Sequence, residues 1–382
     1  MQIETLLQLM LEKDGSDLFI SEGRAPGLKA QGKIHNVGKA ALTSQQTRDI
    51  TLSTMEEWQK EEFLRDKELN YAIISKQGGR FRVNAFFQRG AVGMVLRKIP
   101  TEIPTPEDLK LPPVLKELCM NKRGIIIFVG GTGIGKTTSL ASLIDYRNEH
   151  GNGHIITIED PIEFIHEHKA CIITQRELGI DTLSWENALH NTLRQAPDVI
   201  LIGEIRSRET MEHAVSFAET GHLVFATLHA NNANQALDRI INFFPSDRRD
   251  QLLLDLSLNL RAFVAQQLIP TSDGGRRAAI EILINSPLIG DLIKKGEVHE
   301  IKEVMSKSKE LGMQTFDQAL YELYNEGVIE YDEAIKHADS KNDLRLMIKL
   351  HSSRTEQPGE SGGTGGLMLE ETENGQGSGK LY

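Results

Sequence analysis

The chain has 382 residues, 39% of them hydrophobic and 25% charged, a balance typical of soluble globular proteins and a length that calls for two domains rather than one core. No run nears the roughly 18 apolar residues of a membrane span, and the start MQIETLLQLMLEKDG lacks a basic stretch and a small-residue cleavage site, so a cytoplasmic protein is expected. Of the net charge of −11, residues 355–382 carry −4 (five Glu, one Lys), which leaves −7 on residues 1–354 and argues against a dedicated nucleic-acid binder.

In chain order, Ile3, Leu6, Leu7, Met10 and Leu11 follow helical spacing, with Gly15 as a stop. Short strand-like runs at 18–20, 79–87 and 92–99, with a helical segment around 44–63, give an α+β first domain over residues 1–99. Pro100, Pro104, Pro106, Pro112 and Pro113 favour extended backbone, so residues 100–115 are expected to be a linker. Over 116–350, apolar runs at 125–129, 155–158, 199–202, 223–228 and 278–284 alternate with helices. Runs apolar at nearly every position suit strands of a parallel sheet buried on both faces, an α/β domain. Residues 291–350 are helical in character, with Phe316, Ala319, Leu320 and Leu323 at helix spacing. The last stretch, 351–382, has eight Gly in the 28 residues after Arg354 and is expected to be a disordered tail. Cys119 and Cys171 are the only cysteines; with no CxxC spacing they read as reduced thiols, neither a disulfide framework nor a zinc ribbon.

The residues Gly130, Gly131, Thr132, Gly133, Ile134, Gly135, Lys136 and Thr137, followed by Thr138, satisfy G-x-x-x-x-G-K-S/T between an apolar strand and a helix carrying Leu140, Leu143 and Ile144. The glycines let backbone N–H groups and the positive helix end surround phosphates, Lys136 reaches the β- and γ-phosphates, and the Thr137 hydroxyl suits Mg²⁺. Glu204, after Val199-Ile200-Leu201-Ile202-Gly203, is placed as a strand-end carboxylate acting on Mg²⁺ or its water. In Glu159-Asp160-Pro161-Ile162-Glu163 the proline ends a strand and gathers three acids; Glu163 has the chemistry to orient or deprotonate water, and a solvated acidic loop has the same composition. His222 and His229 flank the run 223–228 at a spacing unlike a metal pair; His229 is placed either to sense a γ-phosphate or as a satisfied core histidine. Arg80, Arg82, Arg89 and Arg97 lie far along the chain from the P-loop, and read either as arginine fingers for a neighbouring subunit's nucleotide or as a solvated strand face. A guanine-reading N-K-x-D element is missing, since Asn121-Lys122-Arg123-Gly124 ends in Gly and precedes the P-loop; ATP is the expected nucleotide.

GGTGIGKTT, HIITIEDPIEF, QAPDVILIGEIRSRET and ETGHLVFATLHANNA stand in the order of the Walker A, Asp box, Walker B and His box of the secretion ATPases of type IV pilus and type II secretion systems, which the chain resembles. GRFRVNAFFQRG and LGMQTFDQAL extend the likeness over most of residues 1–350, closest to the PilT/PilU retraction branch. That resemblance implies a PAS-like N-terminal domain, a RecA-like P-loop ATPase domain with a helical C-terminal part, and a hexameric ring that hydrolyses ATP with Mg²⁺ to remove pilin from the fibre base. It implies Lys136 and Thr137 at the phosphates, Glu204 at Mg²⁺, Glu163 as catalytic base and His229 near the γ-phosphate. Arg82 and Arg97 match positions that bridge to nucleotide at an interface. The implied partners are a second copy of the chain, a paralogous retraction ATPase and an inner-membrane platform protein, with the chain peripheral to that membrane and no nucleic acid expected. Where the branch resembles AIRNLIRE, this chain reads Pro287-Leu288-Ile289-Gly290-Asp291-Leu292-Ile293-Lys294-Lys295, with Gly290 and Lys294 at the two arginine positions. Together with the Gly-rich tail, this departure points to an accessory member of the branch. A nucleic-acid-translocating ring and a structural partner of a paralogous motor are the other classes these motifs permit.

Overall fold

The computed structural model describes residues 2–352 and 354; apart from His351, Ser352 and Arg354, the expected tail lies outside the described residues. The first sheet is antiparallel throughout. It comprises β1 (Asp17–Ile20), β2 (Gly27–Ala30), β3 (Lys33–Asn36), β4 (Glu68–Ile74), β5 (Arg80–Gln88) and β6 (Ala91–Ile99) in the order β3-β2-β1-β6-β5-β4. Helices α1 (Ile3–Glu12), α2 (Ser44–Leu52) and α3 (Glu57–Asp66) accompany it, and Leu6, Met10, Leu18, Phe63, Tyr71 and Phe81 form its core. Alternation along β5 buries Phe81, Val83 and Ala85, which leaves Arg80, Arg82 and Asn84 on the opposite face. Register then aligns Arg82 with Arg97 and Arg97 with Asp17, so the three form a row across β5, β6 and β1.

The single helix expected over 44–63 is two. Ser53 and Thr54 return their hydroxyls to the carbonyls of Ile50 and Thr51, and Glu56 starts a new helix through a capping box with Gln59. Such side-chain bonds compete with helix continuation. Nor is the Pro-rich stretch extended. Residues 105–111 form a hydrogen-bonded turn capped by Asp108, and Leu111 packs into the core of the second sheet beside Leu115 and Leu118 of α4 (Val114–Cys119).

The second sheet contains β7 (Gly124–Val129), β8 (Gly153–Glu159), β9 (Cys171–Glu177), β10 (Val199–Ile202), β11 (Leu223–Leu228), β12 (Leu260–Pro270) and β13 (Arg276–Ile284). Their order is β13-β12-β7-β11-β10-β8-β9, parallel except for β13, which pairs antiparallel with β12 at one edge. That corrects the expectation of a parallel strand at 278–284: the short turn at 271–275 leaves no room for a crossover. Helix α5 (Lys136–His150) and α4 cover one face. The other is covered by α6 (Trp185–Thr192), α7 (Arg208–Glu219), α8 (Ala233–Asn242) and α9 (Arg249–Asn259), then by the C-terminal helices α10 (Pro287–Lys295), α11 (Ile301–Ser306), α12 (Phe316–Asn325), α13 (Tyr331–His337) and α14 (Lys341–His351). Burial on both faces explains why β7 and β10 are apolar without a polar side chain and β11 carries only Thr227. Cys119 and Cys171 are both free and buried, and burial pushes the Cys119 thiol up to about 12. Among the described residues no helix is long and apolar enough to cross a membrane.

Candidate active site

The four motif segments meet where β7, β8, β10 and β11 end, the edge at which ligands sit in open α/β sheets. They enclose a cavity of about 700 Å³ lined by Gly131, Thr132, Gly133, Gly135, Lys136, Thr137 and Thr138 from the P-loop, Asp160 and Glu163, Glu204 and Arg206, and His229.

The P-loop is held by its own backbone and by β12. Gly130 and Gly135 have φ of 150° and 88°, conformations that L side chains avoid. A Cβ on Gly130 would stand 2.0 Å from Cδ1 of Ile134 and 2.8 Å from the Gln266 carbonyl oxygen. Gln266 Nε2 donates to the Ile134 carbonyl (2.8 Å), and its Oε1 accepts from the Ser139 hydroxyl (2.9 Å). Helix α5 begins at Lys136 with Gly135 before it and no side-chain cap, so its first N–H groups face the cavity with the positive end of the helix dipole. Lys136 is buried, and its Nζ donates to the carbonyls of Gly130 and Gly131 at 2.6 Å each. Burial lowers its pKa, opposed by the charge of Glu204.

Glu204 sits at the centre of a polar chain. Its Oε2 accepts from Arg206 Nε at 2.7 Å, and its Oε1 lies 3.4 Å from His229 Nε2. His229 Nδ1 is 3.1 Å from the Gly130 carbonyl, the same oxygen that Lys136 contacts. Arg206 also reaches Asp160, with Nη1 3.6 Å from Oδ2. One connected path therefore links Asp160, Arg206, Glu204, His229 and the first glycine of the P-loop. His222 lies at the other end of β11, where its Nδ1 meets the Phe217 carbonyl and the Thr220 hydroxyl.

The three acids gathered at Pro161 separate by environment. Glu159 is buried, accepts from the Thr157 hydroxyl at 2.6 Å and from Gln175 at 3.2 Å, and is pushed up by that burial. Glu163 is exposed and lines both the large cavity and a small gap shared with Arg82, Arg97 and Pro100. Arg82 and Arg97 thus line one gap with Glu163 of their own chain, a proximity that their distance in sequence from the P-loop did not anticipate. Arg97 Nε donates to Asp17 Oδ1 at 2.8 Å, and the guanidinium helps hold Asp17 below its ordinary value against the cost of burial. Arg89 lies at the turn between β5 and β6, away from the gap, with φ of 48°.

Sequence reasoning passed over Arg206, Gln266, Gln175 and Glu177. Arg206 stands two residues beyond Glu204, and Gln266 is a polar residue inside an apolar run; those were the available signals. In α10 a Cβ on Gly290 would lie 3.2 Å from Asn285 Oδ1 and 3.3 Å from the Ser257 carbonyl oxygen. The glycine therefore lets α10 approach the end of α9 closely.

A family model described as type II/IV secretion system protein matches residues 66–309. The chain is 62% identical to the type IV pilus ATPase PilU of Pseudomonas aeruginosa, over 98% of each chain. It is 38% identical to the type IV pilus retraction ATPase PilT of the same species, over 88% of this chain and 98% of that one. The crystal structure of the pilus retraction motor PilT with bound ADP superposes with a TM-score of 0.85 at 37% identity, covering 91% of this chain and all of the other. With its α+β first unit, its RecA-like second unit and these four motifs at one sheet edge, the chain belongs to the type II/IV secretion system family, within the PilT/PilU retraction ATPases.

Proposed function

We propose that the chain hydrolyses ATP with Mg²⁺ in a hexameric ring and uses the energy to drive or assist retraction of type IV pili, as the accessory partner of a PilT-type ATPase. The observation that carries this reading is the convergence of the P-loop, Glu163, Glu204 and His229 on one cavity. ADP bound by the superposable motor PilT supports a nucleotide in that cavity. Thr137 and Glu204 offer hard oxygen donors, and among the described residues no group of three or more His, Cys, Asp or Glu could hold a metal. That donor set fits Mg²⁺, which is ordinarily shared between one or two protein oxygens and substrate phosphates. When bound, the ion would neutralise phosphate charge.

In this reading Lys136 exchanges the carbonyls of Gly130 and Gly131 for phosphate oxygens. Glu163 takes the proton of the attacking water. Glu204, fixed by Arg206, stands on the metal side, and His229 reports on the γ-phosphate through its contact with Glu204. Arg82 and Arg97 sit where the N-terminal unit meets the site, so hydrolysis is placed to move that unit across residues 100–115. A ring of one chain type closes by head-to-tail interfaces, and that motion would pass to an inner-membrane platform protein from the cytoplasmic side. The accessory role is supported by the higher identity to PilU than to PilT and by Gly290 and Lys294 in α10.

Purified chain carrying Lys136→Ala should lose hydrolysis at saturating MgATP by at least about two orders of magnitude; a variant as active as the parent removes the catalytic assignment. Deleting the gene alone and together with its paralogue, followed by retraction under load, tests the biological role. Unchanged retraction in every background would remove it.

A further inference from the structure

The loop that carries Glu163 has few bonds of its own. Its backbone is tied instead to side chains of the edge strand β9. Glu177 Oε2 accepts from the Ile162 amide at 3.4 Å, Gln175 Oε1 accepts from the His166 amide at 2.8 Å, and Gln175 Nε2 donates to the Phe164 carbonyl at 2.9 Å. The parallel register sets Thr157 opposite Gln175 and Glu159 opposite Glu177. Gln175 and Glu177 therefore share one face of the strand and grip the loop on both sides of Glu163. The Ile165 amide adds a bond to the Pro100 carbonyl at the end of β6.

Glu177 has no role in the reaction described above, yet it is a carboxylate only 2% exposed. Burial pushes it up, and the charges of Arg82 and Arg80 on β5 offset part of that. Arg80 Nε is itself buried without a hydrogen-bond partner. A buried acid is costly unless charge or hydrogen bonds compensate it, and here the compensating charge comes from the other sheet.

We propose that Glu177 is a positioning residue for Glu163: it fixes the loop through the Ile162 amide, and the arginine face of β5, which meets the loop at the gap lined by Arg82, Ile162 and Glu163, makes the loop's setting follow the position of the N-terminal sheet. This rests on Glu163 being the catalytic base. Displacing the N-terminal unit would withdraw the arginines, unbalance Glu177 and loosen the base.

The test uses the full chain and two readouts, steady-state hydrolysis of MgATP and hydrogen exchange of residues 160–166. Glu177→Ala should speed exchange in that segment selectively and lower kcat about tenfold, with KM changed less than about threefold. Glu177→Gln keeps an acceptor for Ile162 but loses the charge. It should show a smaller loss of kcat, and Arg80→Gln, harmful alone, should add little to it. Unchanged exchange at 160–166 in Glu177→Ala overturns the proposal, as does full additivity of Glu177→Gln with Arg80→Gln. Exchange that rises throughout the chain, with kcat and KM impaired together, assigns Glu177 to folding alone and overturns it equally. Glu163→Ala is assayed in parallel: if it hydrolyses ATP at the parent rate, the base reading fails, while the exchange result still shows whether Glu177 holds the loop.

Discussion

The P-loop follows β7 and the Asp-box loop follows β8, with β11 and β10 between them in one sheet; both face one cavity, yet they are held by different means. The P-loop is shaped mainly by its own residues: glycines at φ values closed to other residues, a strand before it and a helix beginning at Lys136. The Asp-box loop takes its shape from β9 and β6, through Gln175, Glu177 and Pro100. A loop built from its own backbone is a fixed cradle. A loop hung on side chains of an edge strand can be reset when the neighbours of that strand move, as the proposed role of Glu163 requires.

The largest effect should come from breaking the fixed cradle. Gly130→Ala puts a Cβ against Ile134 and the Gln266 carbonyl at a φ that costs about 1–3 kcal/mol before any clash. Nucleotide affinity, measured by titration of a fluorescent ADP analogue, should fall at least about a hundredfold. If it falls less than threefold, the P-loop is not the rigid partner in the comparison.

The next effect concerns the start of α8, just beyond His229. Glu281 accepts from the amides of Ala233 and Phe316, and burial raises it to about 7. The folded chain thus keeps this proton up to about pH 7, whereas an unfolded glutamate releases it near 4.5. The group contributes nothing below that lower value, turns against the folded state as pH rises through the interval, and stays so above it. The interval corresponds to roughly 3 kcal/mol. Thermal melting of Glu281→Gln relative to the parent should therefore improve from pH 5 to pH 7.5; a difference independent of pH would show that Glu281 is no more than a neutral cap.

Gln266→Ala removes the tie between β12 and the P-loop and leaves the Ser139 hydroxyl without its acceptor. The expected loss of stability is about 2 kcal/mol, read as a lower melting temperature together with weaker ADP binding. A drop in melting temperature with ADP affinity intact would mean that the glycines alone shape the cradle. The smallest effect should follow Arg206→Lys, which keeps a charge near Glu204 but not the fork that also reaches Asp160. We expect kcat to fall about threefold to tenfold with little change in KM. No change would show that Asp160 and Glu204 act separately.

Reading the sequence alone was reliable where structure follows from neighbours in the chain. The strand, glycine loop and helix around Lys136, and the strands β10 and β11, apolar at nearly every position, appear as expected because turn chemistry and burial on both faces leave signatures within a few residues. Strand β9 went unseen because its second half, Thr174-Gln175-Arg176-Glu177, is polar; two of those side chains turn toward a loop instead of a core. Strand β12 was obscured by Gln266 and Gln267, although Gln266 is buried for the sake of the P-loop. The row of Asp17, Arg97 and Arg82, the Arg206 bridge and the grip of Glu177 on the Glu163 loop were set by tertiary structure. Strand register brings Asp17 and Arg97, 80 positions apart, within hydrogen-bonding reach, and one-dimensional spacing carries no record of register.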